Sequence, residues 1–369
     1  MNRQPDTAFF HCRYDDVLNR LTQIDPVRYD ESRNYLNGAV TCLGPFVSHG
    51  IISALHIANA VLNSYSIKQC NTLLYQLAWR EYFHRIWESH GDAIFSDLRT
   101  PCQSTRLEIP TAIVSANTGV QAVDDALSNL FDVGTMHNHA RMWVAGMCCN
   151  MGNTHWLPAA KWMHYHLLDG DLASNTLSWQ WIAGTNSHKR YVMNQDNINK
   201  FSRTNQSGTF LDTSYERLGQ FNLPDPLVRT INPITNQTLP GDPVVELAGL
   251  KGTVALRSVW QLNPHWQEAI DQHVLFIDTE LHNQWPMSQI RWQFILHWAS
   301  FIPNLRIVKG TSKELQTSIQ HLSVVRQSYP ACHQWGVATE DRDWLYPNPP
   351  KPFNSFSQFW KQVAPQSRG

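Results

Sequence analysis

Between His137 and Trp181 the chain crowds His, Arg, Asp, Asn and Trp into a short stretch, opening HNHARMW and continuing THWLPAAKWMHYHLLDGDLASNTLSWQW. Asp169 and Asp171 flank Gly170 at the end of a helical pattern. Two carboxylates there suit a metal, an acid–base pair or a solvated helix cap, and the spacing alone favours the cap. Arg141 lies in a mostly apolar helical pattern, where a buried guanidinium needs a carboxylate partner; Asp169 is the candidate. The pairs His137/His139 and His164/His166 are two residues apart, so on a helix they face away from each other and hold no metal between them. HExxH and EF-hand patterns are missing, and no metal site is expected. There is no GxGxxG after a strand, no Walker loop and no GxSxG elbow, so the usual dinucleotide, NTPase and hydrolase signatures are lacking.

The elements that must position these residues come from a chain of 369 residues, 42% hydrophobic and only 16% charged, which is too apolar for disorder and long enough for two domains. No apolar run approaches the roughly 18 residues of a membrane helix. The start, MNRQPDTAFFHCRYDD, lacks the basic flank and apolar stretch of a signal peptide. A soluble, cytoplasmic protein is expected, with no membrane partner. The formal charge of -1 is spread so that neither half is a basic module. This argues against tight nonspecific binding to duplex DNA and leaves room for a local basic groove. Seven cysteines with no CxxC pair form neither a disulfide framework nor a four-cysteine metal site; buried or incidental thiols are expected. Fifteen Trp residues require a heavily aromatic core or a use for indole rings.

The first half reads helical. Periodicity predicts helices over Gly50–Asn63 with Ser48 as N-cap, Thr72–His90, Val123–Phe131, His137–Asn150 and Ala159–Leu168. No strand is expected before about residue 245. From there the pattern predicts strand-length runs in Val244–Arg257, strands at His273–Asp278 and Leu305–Lys309, and helices at Gln289–Ser300, Ser312–Leu322 (capped by Ser312) and Ser355–Val363. Strands alternating with helices predict a parallel α/β layer. The division expected is an all-helical domain over 1–205, a connecting region over 206–245 and a smaller α/β domain over 246–369: a mainly α chain.

MHNHARMW (136–143), HLLDGDLASN (166–175) and WQW (179–181) together resemble the flavin-binding core of the photolyase/cryptochrome family. Upstream, CLGPFVSHG (42–50) resembles the family's phosphate-binding TSRLSPYLxxG turn, LAWREYF (77–83) its IWREFY helix, and TGVQAVDDAL (118–127) its TGYPIVDAAM segment. The blocks occur in the family's order and spacing across about 30–205.

The resemblance implies FAD in a U-shaped conformation in the helical domain. By position, Arg80 touches the cofactor, and Thr41, Leu43 and Gly44 lie along its phosphates, where backbone N–H groups at a helix start favour an anion. Tyr29 matches a tyrosine near the phosphates once a one-residue gap is admitted. Arg141 and Asp169 match the buried pair beside the isoalloxazine ring, Asp171 a second carboxylate near the flavin, and Asn175 the residue facing flavin N5. Trp179 and Trp156 match the first two members of the tryptophan chain that photoreduces the flavin. The third falls at Gln103, which is not aromatic, so either another ring such as Trp87 substitutes or photoreduction is weak. Trp143 and Trp162 are expected in the core.

Trp79 and Trp181 match the two rings that pack on a flipped-out pyrimidine dimer. Asn138 and Met142 match the cyclobutane-dimer enzymes, where (6-4) photoproduct enzymes carry His. Gln76 replaces the glutamate that hydrogen-bonds the dimer; it donates and accepts but supplies no proton or charge. His139 replaces an Arg. The implied activity is light-driven repair of cyclobutane pyrimidine dimers in UV-damaged DNA, single-stranded or duplex, by a monomer. The alternatives are a blue-light photoreceptor without repair and a light-independent flavoprotein with neither role.

The family's antenna domain precedes its helical domain. Here VALRSVWQLNP (254–264), HVLFIDTE (273–280), RWQFILHWAS (291–300) and PFNSFSQFWKQV (352–363) resemble parts of that domain downstream of the helical one. This implies a circularly permuted chain whose region 202–250 joins the old ends, and it requires a five-stranded parallel sheet. The resemblance also admits a second, antenna chromophore of unspecified identity, whose binding residues do not carry over.

Overall fold

The structure, a computed structural model, describes residues 7–187, 189–218, 223–347, 349 and 355–364. In chain order its helices are α1 (Tyr14–Thr22), α2 (Pro26–Ser32), α3 (Gly44–Ser48), α4 (Ala54–Leu62), α5 (Ile67–His90), α6 (Thr111–Val114), α7 (Gln121–Val133), α8 (Asn138–Gly146), α9 (Trp156–His166), α10 (Leu172–Ala183), α11 (Gln195–Ser202), α12 (Tyr215–Leu218), α13 (Thr279–Gln284), α14 (Gln289–Ala299), α15 (Ser312–Ile319) and α16 (Phe356–Val363). Among the described residues no helix is long and apolar enough to cross a membrane.

Local chemistry explains where several helices begin, and corrects two expected caps. The segment 50–63 does not start at Ser48, which ends α3. Gly50 has a left-handed φ of 62° that interrupts the helix, and Ser53 caps α4 by accepting the His56 N–H. A Cβ on Gly50 would lie 2.2 Å from the Trp260 carbonyl oxygen, so glycine is required there. Helix α15 is capped by Thr311 in a capping box with Glu314, while the Ser312 hydroxyl donates to Asp278 instead. Helix α5 starts earlier than expected because Ser66 and Gln69 cap each other's N–H groups. Helix α8 runs into a π-turn at Met147–Met151.

Five strands form one parallel sheet: β3 (Asp242–Pro243), β4 (Thr253–Arg257), β5 (His273–Asp278), β6 (Leu305–Gly310) and β7 (Ser323–Val325), in the order β3-β6-β5-β4-β7. All six residues of β5 are buried, the pattern of a strand covered on both faces. Two expectations change. A two-residue antiparallel ladder, β1 (Ile109–Pro110) with β2 (Thr230–Ile231), lies before residue 245. Val244–Gly249 is a 3₁₀ turn rather than a strand, since it buries Val244 and Leu247, three apart, and exposes Val245.

The chain groups into two compact units that interleave in sequence. Among the described residues, the first comprises those within 25–40 and 82–235; the second comprises those within 7–24, 41–81 and 236–364. Helix α5 therefore gives Ile67–Glu81 to the second unit and Tyr82–His90 to the first. The first unit's core is built on α7–α10 and holds Trp143, Trp156 and Trp162, each essentially unexposed. In the second unit, Phe46 packs against Phe294 and Trp298, and Phe276 of β5 against Trp335. His49 is fully buried and fastens the α3 turn to the loop after β4. Its Nδ1 meets the Val259 oxygen at 2.6 Å, and its carbonyl accepts from Leu262. The expected stretch 352–363 is described only from Ser355 onward.

Candidate functional site

In the first unit the polar residues of 137–175 converge. Arg141, on α8, directs Nη2 at both carboxylate oxygens of Asp169, 2.8 Å from each, and its Nε donates to the Met136 carbonyl at 2.9 Å. The pair is partly buried, with side chains 25% and 20% exposed. Asp171 is the N-cap of α10: one oxygen accepts the Ser174 N–H at 2.8 Å. Its other oxygen meets His84 Nε2 at 2.7 Å, both side chains being buried. Facing a carboxylate, that nitrogen is the donor. His84 went unread in the sequence. Its only signal is a place on the α5 helix five residues beyond Trp79, which does not reveal a partner across the fold. Asn175 is not a cap. It lies inside α10, and its Nδ2 donates to the Ala160 carbonyl of α9 at 2.9 Å.

The hydroxyls of Ser174 and Thr176 are also buried without a partner among the described residues. His137 caps α8 by accepting the His139 N–H on Nδ1, so Nε2 carries the proton. Burial lowers its pKa to about 4 and keeps it neutral. Tyr29 is half-buried, and burial raises its phenol pKa.

The aromatic residues occupy varied settings. Trp179, four residues after Asn175 and on the same side of α10, is buried. Trp156 opens α9, is wholly buried, and donates its indole N–H to Asp97 at 2.7 Å. Gln103 is exposed and accepts from Arg190. Trp87 is buried against Phe95. Trp181 is 43% exposed, Asn138 is exposed at the start of α8, and Met142 follows one turn later, half-buried.

The second unit holds the remaining candidates. Leu43 caps the five-residue α3, and its N–H reaches Thr41 Oγ1 at 3.5 Å, with Gly44 as the first helical residue. On α5, Trp79 lies flat against Phe356 of α16: ring centroids 3.7 Å apart, planes 10° apart. Tyr75, one turn earlier, meets Phe356 and Trp360 edge-on. Gln76 is half-buried beside Tyr75. Arg80 and Glu81 line a cavity of about 140 Å³ together with His56, Trp260, Tyr329 and Arg342. Glu81, also unread in the sequence, is buried and accepts the backbone N–H groups of Leu345 and Tyr346 at 2.6 and 3.1 Å.

Residues 73–224 match the family model described as the FAD binding domain of DNA photolyase. Over much of this segment the chain is similar to proteins named photo-lyase and cryptochrome DASH. A deoxyribodipyrimidine photo-lyase of Streptomyces griseus is 32% identical over 165 residues, 44% of this chain and 36% of the relative. A cryptochrome DASH of Gloeobacter violaceus is 30% identical over 176 residues, 44% of this chain and 34% of the relative. The chain thus spans about a third of the length of these photolyase/cryptochrome relatives. Among solved structures, a Synechocystis cryptochrome is 23% identical, covering 51% of this chain and 43% of that one, with a TM-score of 0.46. The first unit's donor set fits the flavin that a photolyase/cryptochrome domain binds. Arg141 and Asn175 bring donors, Asp169 and Asp171 acceptors, and the buried unpartnered hydroxyls of Ser174 and Thr176 want a polar group.

Proposed function

We propose that this chain binds FAD and splits cyclobutane pyrimidine dimers in UV-damaged DNA under blue or near-UV light. The observation that carries the reading is the Arg141–Asp169 pair beside the capped, buried Asp171 and Asn175, within the segment that matches the FAD-binding domain. When bound and reduced, FAD supplies the light-excited electron that opens the cyclobutane ring and receives it back. The protein's part is to hold charge and position reactants. Arg141 presents a fixed positive group, oriented by Asp169. Asp171 keeps a buried negative charge that His84 and the α10 amide compensate. Asn175 is held by Ala160 at a fixed depth. Asn138, Met142 and the exposed Trp181 offer a polar edge, a soft contact and a stacking face to an extruded pyrimidine dimer. Trp79 offers a second face, and Gln76 one amide to hydrogen-bond a pyrimidine carbonyl. Arg80 and the Thr41–Gly44 turn serve the cofactor's diphosphate side. Trp179 and Trp156 pass electrons to an oxidised flavin.

The five-stranded parallel sheet supports the circular-permutation reading, in which β4 and β5 represent the start of an antenna-like domain placed after the helical one. A second reading, a blue-light photoreceptor without repair, is favoured by the Trp79–Phe356 stack, which covers a face that repair needs, and by Gln76. The deciding experiment illuminates flavin-loaded, reduced protein with an oligonucleotide carrying one thymine cyclobutane dimer, against a dark control. Light-dependent restoration is expected. FAD that binds and reduces without restoration would exclude repair and favour the photoreceptor.

A further inference from the structure

Trp156 is wholly buried, yet its indole N–H is aimed at a carboxylate that reaches water. Asp97 Oδ1 lies 2.7 Å from Nε1, and the Asp97 side chain is 26% exposed. Its other oxygen accepts the Cys102 N–H at 2.8 Å. His155, whose ring packs against Trp156 with centroids 5.8 Å apart, presents Nε2 at 4.0 Å from the same Oδ1. His155 Nδ1 accepts the Leu157 N–H, so Nε2 carries the proton and adds a donor facing Asp97. At Gln103, where a third redox-active ring would continue the relay, there is an exposed amide bonded to Arg190.

We propose that Asp97 is the proton acceptor for oxidised Trp156, so that the electron relay ends at a Trp156–Asp97 pair instead of a third tryptophan. This rests on the Trp179–Trp156 relay proposed above. One electron passes from Trp179 to light-excited, oxidised flavin, the oxidant of the step. Trp156 refills Trp179. Losing an electron makes the indole N–H strongly acidic; the N–H bond breaks and its proton moves to Asp97 Oδ1. The balance is one electron on the flavin, one neutral tryptophanyl radical at Trp156 and one protonated carboxyl at Asp97. A buried indole has no water of its own to take the proton, whereas a carboxylate already hydrogen-bonded to it needs no rearrangement. The reverse electron transfer must then bring the proton back. The radical pair therefore lasts long enough for an external thiolate to give one electron to Trp156, leaving a thiyl radical, while the indole nitrogen regains its proton from Asp97.

Asp97→Asn separates this role from mere satisfaction of a buried N–H, because an amide oxygen still accepts the hydrogen bond but cannot take the proton at neutral pH. Flash absorption of the FAD-loaded, oxidised protein distinguishes the neutral tryptophanyl radical from its cation by their different bands. In the parent protein the neutral radical should form, slowed in heavy water. In Asp97→Asn the cation should persist and charge recombination should be about tenfold faster. Asp97→Glu should restore the neutral radical. A persistent cation in the parent protein overturns the proposal without any variant, as does a neutral radical formed equally fast in Asp97→Asn. Trp156→Phe tests the underlying relay: if its transient spectrum matches the parent's, Trp156 is not oxidised and the relay reading fails rather than the assignment of Asp97.

Discussion

The α8–α10 face of the first unit and the α5–α16 face of the second treat their functional candidates differently. On the first, charged and amide groups are held by short, directional bonds to helix ends and neighbouring backbone: Asp171 to the α10 amide, Asn175 to Ala160, Arg141 to Met136 and Asp169. On the second, Trp79 is held by an apolar stack on a ring from the far end of the chain. A hydrogen-bonded polar cluster is costly to disturb, because each orphaned group pays for desolvation. A ring stack contributes only about 0.5–1.5 kcal/mol beyond its buried area and can be exchanged for another flat ring. The first face is built to stay, and the second can give way.

Four measurements break or sharpen that contrast. Asp171→Ala removes a buried carboxylate, takes away the acceptor that His84 Nε2 meets and uncaps α10. Chemical denaturation should show a loss of about 3–5 kcal/mol, together with failure to retain FAD. A loss below about 1 kcal/mol would contradict the picture of a rigid first face. Gly50→Ala forces a Cβ toward the Trp260 carbonyl at positive φ and should cost the second unit about 2–3 kcal/mol, seen as a lower midpoint in urea. Retained stability would mean that the α3 turn yields as easily as the ring stack.

The third measurement is the pH dependence of unfolding. His137 and His166 in the first unit have pKa values lowered to about 4 by burial. Both are neutral at pH 7 folded or unfolded. Below about pH 6.5 the unfolded chain binds the proton first, so stability falls as pH drops toward 4, by on the order of 1–2 kcal/mol per residue at pH 5. His137→Gln should flatten part of that slope in thermal melts between pH 7 and 5; an unchanged slope would show that His137 is protonated without penalty. Last and smallest, Phe356→Leu keeps an apolar side chain of similar bulk and removes the flat ring; it should cost about 1 kcal/mol in urea while tightening binding of a dimer-containing single strand several-fold, read by fluorescence anisotropy, because less of the protein is in the covered state. Weaker binding in that variant would make Phe356 part of the binding surface and not a cover for it.

Much of the fold is legible wherever periodicity and caps act over a few residues. The strands at 273–278 and 305–310 and the helices α5, α7, α9 and α14 follow from apolar spacing, with ends displaced by a few residues. The misplacements have local causes that compete with periodicity. Gly50 breaks a pattern that otherwise continues, and Thr311 outcompetes Ser312 because its neighbour Glu314 completes the capping box. The two-residue β1–β2 ladder joins segments too far apart in the chain for any local signal to pair them.

The sequence by itself determined the pairing of Arg141 with Asp169, because a guanidinium in an apolar helix admits few solutions. It also determined the parallel sheet, because strands alternating with helices cannot return antiparallel without losing their crossovers. Only the tertiary structure decided that His84 answers Asp171, that Asp97 receives the Trp156 N–H, and that Phe356 covers Trp79. Each of these contacts joins residues tens to hundreds of positions apart, where no short-range spacing rule operates and only the packed core brings the partners within bonding distance.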